Sequence, residues 1–366
     1  MTAEPSAPVH RRARGLDVLR GLTVAWLLVV VYTPTTGLRG HARWFGWDHS
    51  DVFFPLFVLL AGMGLALQVR ARVPWGRLVR RFVVLVVLGL LVNAWLGAGA
   101  DLTQLRVTGV LQRIAVAGLA GAVVVAVLRR SWWAVLVASA VTAVGWGLLL
   151  RSASADCPGD LPTPEGCGTF LAVDRDLFGT AHVYAAGTLG HDPEGVVSTL
   201  GALATFLAGY AAAALLHRLR ARSAAVRSAA LLAMAGGWAL AWPLLVQLQP
   251  VAKRLWTPSF VASHAALGIA VLAVAVLVFD SDRPRWLARV LDAVSWPVVA
   301  LGRNALVLWI GVFVVGEVLL TTTVGGVPLG DHLLAERGAV EFFVLTAGSW
   351  LAVASAMHAA RWYVRL

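Results

Sequence analysis

Charged residues are scarce in this chain: they make up 13% of its 366 residues, whereas 59% are hydrophobic. About a quarter of a soluble globular protein is charged. Apolar runs of about 20 residues, the length that crosses a bilayer, recur along the sequence. The shortage of charge and a mean hydropathy of +0.78 therefore predict an all-α polytopic membrane protein rather than a soluble one.

Sequence motifs of several enzyme and metal-binding classes are also missing. There is no P-loop, no GxSxG elbow, no HExxH and no Cys/His set with zinc spacing. Neither a nucleotide-hydrolysing site nor a metal site is therefore supported.

Ten membrane-spanning helices are predicted, forming one bundle. They cover residues 16–36, 51–69, 80–98, 105–128, 132–150, 194–216, 226–246, 257–279, 295–320 and 339–360. Residues 1–14 are polar and basic, and we expect a disordered tail that is not a cleaved signal peptide. Residues 15–366 then form a single transmembrane domain.

The basic residues are concentrated on one side of this arrangement. With the N-terminus in the cytoplasm, most of the 30 Lys and Arg residues fall in cytoplasmic segments, and many acidic residues fall outside. The positive-inside rule then places both termini in the cytoplasm. The net charge of +11 is explained by topology and the lipid bilayer, with no need for a nucleic-acid partner.

The largest outer loop, about 151–193, carries the only two cysteines, Cys157 and Cys167. Two cysteines that face an oxidising compartment favour a disulfide over two free thiols. The loop ends with Asp192, followed by Pro193 and Glu194. Asp before Pro is a helix-start signature, and a substrate-facing role for Asp192 is the equal alternative.

The densest group of polar side chains lies between the first two spans, in residues 41–55. His41 and Asp51 are ten residues apart across one connection, so their side chains can meet. A histidine oriented by a carboxylate acts as a general base, or as a nucleophile that is transiently acylated. The alternative is that His41 and His49 are ordinary interfacial residues.

Ionisable residues inside spans are costly and usually functional. Arg113 lies in the fourth span, seven residues after Arg106, so both share one helix face. A buried guanidinium suits a phosphate or carboxylate ligand, and an ion pair with Glu317 or an outer aspartate is the alternative. Arg303 and Asn304, at the cytoplasmic side of the ninth span, suit an anion or serve as topology anchors.

Several short motifs occur together and in a fixed order along the chain. They read His41-Ala-x-Trp44-x-Gly46-x-x-x-x-Asp51-x-x-Phe54-Pro55, Arg106-x-x-Gly-Val-Leu-Gln112-Arg113, His191-Asp192-Pro-Glu194-Gly195, Lys253-Arg-Leu-Trp256 and Gly302-Arg303-Asn304. With Leu16-Asp17-x-x-Arg20-Gly21, they cover nearly all of the chain after residue 15. Together they resemble the heparan-α-glucosaminide N-acetyltransferase family of multi-span membrane acetyltransferases.

The resemblance implies that the bundle binds acetyl-CoA and passes the acetyl group across the membrane to an amine or hydroxyl of an extracytoplasmic glycan. The family's catalytic histidine matches His41, and we expect Asp51 to orient it. Expected cofactor-binding residues are Gln112, Arg113, Arg303 and Asn304. Expected substrate-binding residues are Trp44, Asp192, Glu194 and Trp256. We expect no counterpart of the separate outer N-terminal domain of the animal members, and we expect a multi-pass enzyme of a bacterial plasma membrane.

The chain departs from the family pattern at two positions. Phe45 stands where the family usually has the asparagine of Trp-Asn-Gly, and Val31 precedes Tyr32 where an asparagine is common. A catalytically inactive relative is therefore one alternative, and a multi-span transporter of a small anion or sugar is another. The opening motif also resembles the acyltransferase-3 group, but Val31 replaces that group's histidine. The sequence leaves dimerisation open.

Overall fold

Within the part of the chain that the structure describes, the regular structure consists of twelve α-helices, three short 3-10 helices and one short hairpin. The computed structural model describes residues 14–33, 41–69, 72–97, 101–157, 167–168, 172–187 and 191–364. The helices are Arg14–Tyr32 (α1), Phe53–Gln68 (α2), Trp75–Leu96 (α3), Val110–Val127 (α4), Trp132–Ala153 (α5), Val173–Phe178 (α6), Thr199–Arg218 (α7), Ala224–Leu248 (α8), Pro258–Phe279 (α9), Arg285–Arg303 (α10), Ala305–Thr321 (α11) and Leu329–Ala359 (α12). Thr323–Val324 (β1) pairs antiparallel with Val327–Pro328 (β2).

The predicted all-α membrane bundle is confirmed. Across the described ranges, nine helices are long and apolar enough to cross a bilayer. Helices α10 and α11 are long and apolar enough only as a pair, which is bent by 72°, and counting this pair as one span gives ten. The bend lies at Asn304, immediately after Arg303. Of the predicted N-terminal tail, residues 1–13 lie outside the described residues, and Arg14 already begins α1.

Helix α7 lies at the centre of the bundle, where it packs on α2, α4, α5 and α9. Close contact with α2 depends on two glycines that face the partner backbone. A Cβ at Gly62 would collide with the Phe206 carbonyl oxygen, and one at Gly209 would collide with that of Leu59. Small residues of this kind let membrane helices approach closely. Gly64, two residues further along α2, faces open space instead.

The segment before α7 differs from the sequence-based prediction. The helix begins at Thr199 with Ser198 at its N-cap position, so Asp192 does not cap it. Residues 191–198 instead form turns at the end of the bundle where α1–α2, α3–α4 and α8–α9 are also connected. In the same connection between α5 and α7, Cys157 and Cys167 are joined by a disulfide, with their Cα atoms 5.9 Å apart. These connections bring the polar residues of four loops together.

Candidate active site

His41 and Asp51 are brought into direct contact by the loop between α1 and α2. Their side chains meet at 2.6 Å, from His41 Nδ1 to Asp51 Oδ1. The backbone N–H groups of Ala42 and Asp48 donate to the other Asp51 oxygen at 3.2 and 2.8 Å. Asp51 is fully buried, whereas the His41 side chain is 47% exposed. A fixed carboxylate thus holds a ring that a substrate can reach.

The contact at Nδ1 determines what the ring can do. An Nδ1–H that donates to Asp51 leaves the lone pair on His41 Nε2, where it can accept a proton or attack a carbonyl. This is the arrangement that orients the base in hydrolytic triads. Ser50 Oγ also approaches Nδ1, at 2.8 Å.

Lys253 is a third member of this group, and no site role was predicted for it. Its Nζ lies 3.0 Å from Asp51 Oδ1 and 2.8 and 3.2 Å from His41 Nδ1 and Nε2. The loop that carries it is tied to the histidine loop, because Gly46 N donates to the Val251 carbonyl at 2.6 Å. Burial lowers the pKa of Lys253 below its ordinary value, although the charge of Asp51 acts against this.

A cavity of about 240 Å³ lies beside His41. It is lined by residues of α2, α3, α4 and α11 and of the loops at this end of the bundle. Its polar lining consists of His41, Asn93, Arg106, Gln112, Tyr184, Glu194 and Lys253, and its apolar wall includes Trp309 and Phe313. The predicted residues His41, Gln112 and Glu194 therefore share one space, and Lys253 belongs to it.

Two buried polar side chains in this lining are unsatisfied. Both amide atoms of Gln112, and Trp309 Nε1, have no hydrogen-bond partner among the described residues. Buried polar atoms usually have a partner, so each such exception requires an explanation. The backbone makes room for the amide, because a Cβ at Gly109 would lie only 2.8 Å from Gln112 Oε1 and one at Gly89 would collide with it.

Arg106 joins the cavity to the segment before α7. Its guanidinium binds both Asp192, with Nε 3.0 Å from Oδ2, and Glu194, with Nη2 2.5 Å from Oε2. Burial by itself would lower the pKa of Arg106, but the Glu194 and Asp192 carboxylates raise it above its ordinary value. Burial by itself would raise the pKa values of Asp192 and Glu194, but the Arg106 guanidinium lowers both of them. Asp192 also accepts from Thr108 and from the Tyr184 N–H, so it organises the loop.

Arg113 is buried behind this cluster. Its Nη2 donates to the Pro193 carbonyl at 2.6 Å and also contacts Ser198. The guanidinium carbon lies 4.9 Å from the centre of the Trp256 ring. Trp256 is itself fully buried, so both side chains support the loop rather than line the cavity. The predicted ion pair between Arg113 and Glu317 is not among its contacts with the described residues.

Arg303 and Asn304 lie at the bend between α10 and α11, away from the cavity lining. Arg303 Nη1 donates to the Tyr363 hydroxyl at 2.9 Å. Asn304 Nδ2 donates to the Trp362 carbonyl at 3.1 Å. Arg303 Nε also lies 3.9 Å from Asp17 on α1. Both residues therefore hold the C-terminal segment against the bend.

Trp44 and Phe45 belong to a small apolar cluster beside the site. Trp44 is nearly buried, and its ring meets His191 edge to face with the centroids 5.2 Å apart. Phe45 packs against Trp44 with Trp146 and Leu150 in the same cluster. Phe45 thus packs in this cluster and does not line the cavity. It stands where the family pattern usually has an asparagine.

Comparison with known proteins finds one matching family model and two related proteins. A family model described as "Heparan-alpha-glucosaminide N-acetyltransferase, catalytic" matches residues 12–248. The human heparan-alpha-glucosaminide N-acetyltransferase is 24% identical over 328 residues, which cover 74% of this chain and 49% of the human protein. The mouse protein is 24% identical over 329 residues, with the same coverage. The chain spans about half the length of these relatives.

The family model covers well over half of the chain and includes the histidine loop, α4 and the segment before α7. Lys253, α9 and the bent span lie beyond its last matched residue. This match, over residues 12–248 of 366, shows the family. The chain therefore belongs to the heparan-alpha-glucosaminide N-acetyltransferase catalytic family.

Proposed function

We propose that this chain transfers an acetyl group from cytoplasmic acetyl-CoA to an amine or hydroxyl of a glycan on the opposite side of the plasma membrane. The observation that carries the proposal is the His41 ring, held by buried Asp51 at 2.6 Å and lining a cavity inside a membrane bundle. A thioester made in the cytoplasm meets an outer acceptor only if its reactive end travels through the protein.

His41 Nε2 can act in either of two ways. As a base, it takes the proton of the acceptor N–H or O–H while the acceptor attacks the thioester carbonyl, and CoA leaves as the thiolate. As a nucleophile, it forms an acetyl-imidazole and releases CoA, and the acceptor then takes the acetyl group. In both routes Asp51 orients the ring and stabilises its positive charge.

Gln112 and Trp309 are suited to the pantetheine arm of CoA. The arm contains secondary amides, each with one N–H and one carbonyl. The Gln112 side chain offers one acceptor and two donors, both of its polar atoms are unsatisfied among the described residues, and Trp309 adds one donor. A pantetheine amide that binds there gives these buried polar groups hydrogen-bond partners. Leaving such a group without a partner costs roughly 1–3 kcal/mol.

The acceptor side of the cavity carries charges of both signs, because the Glu194 carboxylate lines it together with Arg106 and Lys253. In this proposal Glu194 binds the nitrogen of an amino sugar. Trp44, Asp192 and Trp256 are buried, so in this proposal they shape the acceptor site from behind. Arg113 supports the same segment through the Pro193 carbonyl.

We assign the nucleotide end of CoA to the opposite end of α11. Arg303 and Asn304 would bind it there, after exchanging their contacts with Tyr363 and Trp362. Arginine suits the diphosphate because its guanidinium binds phosphate oxygens in pairs. The basic residues on that side favour a cytoplasmic orientation.

The test is CoA thiol release by the purified protein in detergent, with acetyl-CoA as donor and glucosamine as acceptor. We expect turnover in the native chain and its loss in His41→Ala. His49→Ala is the matched control, because His49 also pairs with an aspartate, Asp48, at 3.0 Å, but does so outside the cavity lining. Its turnover should resemble that of the native chain.

Three results would contradict the proposal. Turnover by His41→Ala would remove the imidazole from the reaction. Absence of both turnover and any thermal shift with acetyl-CoA in the native chain would favour the transporter, whereas a thermal shift without turnover would favour an inactive relative.

A further inference from the structure

Lys253 is the only lysine in the chain, among 30 basic residues, and its placement is unusual. Its side chain is 14% exposed and lies against a carboxylate that is completely buried. Nζ is almost equidistant from the two His41 ring nitrogens, at 2.8 and 3.2 Å. The ammonium thus lies beside the ring instead of along one lone pair.

We propose that Lys253 is a positioning residue that shares the Asp51 carboxylate with His41 and so keeps the imidazole neutral, with its Nε2 lone pair available. This proposal rests on the proposed function. It specifies a neutral His41 imidazole, which both catalytic routes require because a doubly protonated ring can neither accept a proton nor attack a thioester.

The physical reason is the balance of charges around the ring. A buried carboxylate alone stabilises the imidazolium, because opposite charges within a few ångströms attract strongly in a low-dielectric site. An ammonium beside the same carboxylate compensates that charge and repels a second proton on the ring. Lys253 is held close to both partners, as the 3.0 Å contact with Asp51 shows.

Other charged and titratable groups also face this group. They are Asp51 from the turn before α2, Glu194 from the segment before α7, Arg113 from α4 and His264 from α9. The negative Glu194 and the positive Arg113 act on Lys253 in opposite directions, so they partly cancel. Lys253 is the one cation within hydrogen-bond distance of the ring among the described residues.

The test measures the protonation of His41 directly and does not need turnover. Diethyl pyrocarbonate acylates only neutral imidazole, and the His41 side chain is 47% exposed. The rate of labelling at His41, followed by peptide mass spectrometry from pH 5 to 8, gives the midpoint of its protonation. We expect this midpoint to rise by on the order of one pH unit in Lys253→Met, and to stay near the native value in Lys253→Arg.

A double variant keeps the test decisive if Lys253→Met folds poorly. Asp51→Asn leaves the ammonium beside the ring without the carboxylate, and Asp51→Asn/Lys253→Met removes both charges, so the midpoint should be higher in the double variant than in Asp51→Asn. Equal midpoints in these two variants would overturn the proposal. An unchanged or lower midpoint in Lys253→Met, or a midpoint in Lys253→Arg that matches Lys253→Met, would overturn the proposal. Failure of the native chain to turn over acetyl-CoA would refute the proposed function alone, because labelling still reports the charge of His41.

Discussion

Asp51→Asn is the substitution that tests the site most sharply, because it changes one atom and removes one charge. Asp51 accepts from His41, from Lys253 and from two backbone N–H groups. An asparagine side chain retains one acceptor and presents an NH₂ group to the others. The ring loses the carboxylate that fixes its Nδ1–H, and Lys253 loses its counter-charge.

The magnitude follows from the geometry. At the 3.0 Å that separates Lys253 Nζ from Asp51 Oδ1, Coulomb's law with an effective dielectric constant of about 20 gives an attraction of about 5–6 kcal/mol. Breaking a buried pair costs roughly 3–5 kcal/mol. We expect the low end, about 3 kcal/mol, because the Lys253 side chain is 14% exposed. A protein with a typical stability of about 5–15 kcal/mol stays folded after that loss.

Activity should fall much more than stability. Loss of an oriented base lowers kcat/KM by about 10²–10⁴-fold, whereas the thermal shift with acetyl-CoA should persist, because Asp51 does not line the cavity. CoA thiol release and thermal unfolding of the same preparation measure both effects. Asp48→Asn, which alters the exposed pair with His49, is the control and should retain activity. Asp51→Asn with activity within threefold of the native chain would refute the reasoning.

Three further predictions follow from other parts of the structure. Gln112→Leu should raise KM for acetyl-CoA about tenfold while slightly raising the unfolding temperature, because it removes a buried, unsatisfied amide; a lower KM would contradict the role in donor binding. Gly62→Leu should lower the free energy of unfolding by about 1–3 kcal/mol or more, because the new side chain would collide with the α7 backbone. Gly64→Leu is the matched control and should be tolerated, because Gly64 faces open space. The pKa values of Asp192 and Glu194 are lower in the folded chain than in the unfolded chain. Their contribution to stability is therefore complete above their unfolded pKa values of about 4. It should be lost as the pH falls through their folded pKa values. Unfolding temperatures that do not fall on acidification would contradict the last prediction.

The helices were predictable because each depends on a local property. An apolar run of about 20 residues crosses a bilayer whatever its neighbours are, and all ten predicted spans have counterparts among the described helices. The start of α7 was predicted five residues too early, at 194. Tertiary contacts decide it: Arg113 contacts the Pro193 carbonyl and Ser198, so the segment that Asp192 and Pro193 mark as a helix start is held in turns.

The site was predictable only where its residues are close in sequence. His41 and Asp51 share one loop, so their spacing indicated contact. Lys253 is 212 residues from His41, and only the packing of two loops brings it there. A usable signal did exist, since this is the one lysine in a chain that otherwise uses arginine. Lysine is a compact donor whose charge responds to burial, whereas arginine is always charged.

Helix α11 connects the two ends of the proposed reaction path. Trp309 and Phe313 are four residues apart, so both face the cavity from one side of the helix. Asn304, at the bend, precedes Trp309 by five residues, about 7.5 Å along a helix axis. Arg303 and Asn304 do not line the cavity, so a nucleotide bound at the bend requires the flexible pantetheine arm to run along α11 to His41. In the proposed function the bend would therefore be where the donor enters, and entry would require displacement of Trp362 and Tyr363 from Arg303 and Asn304.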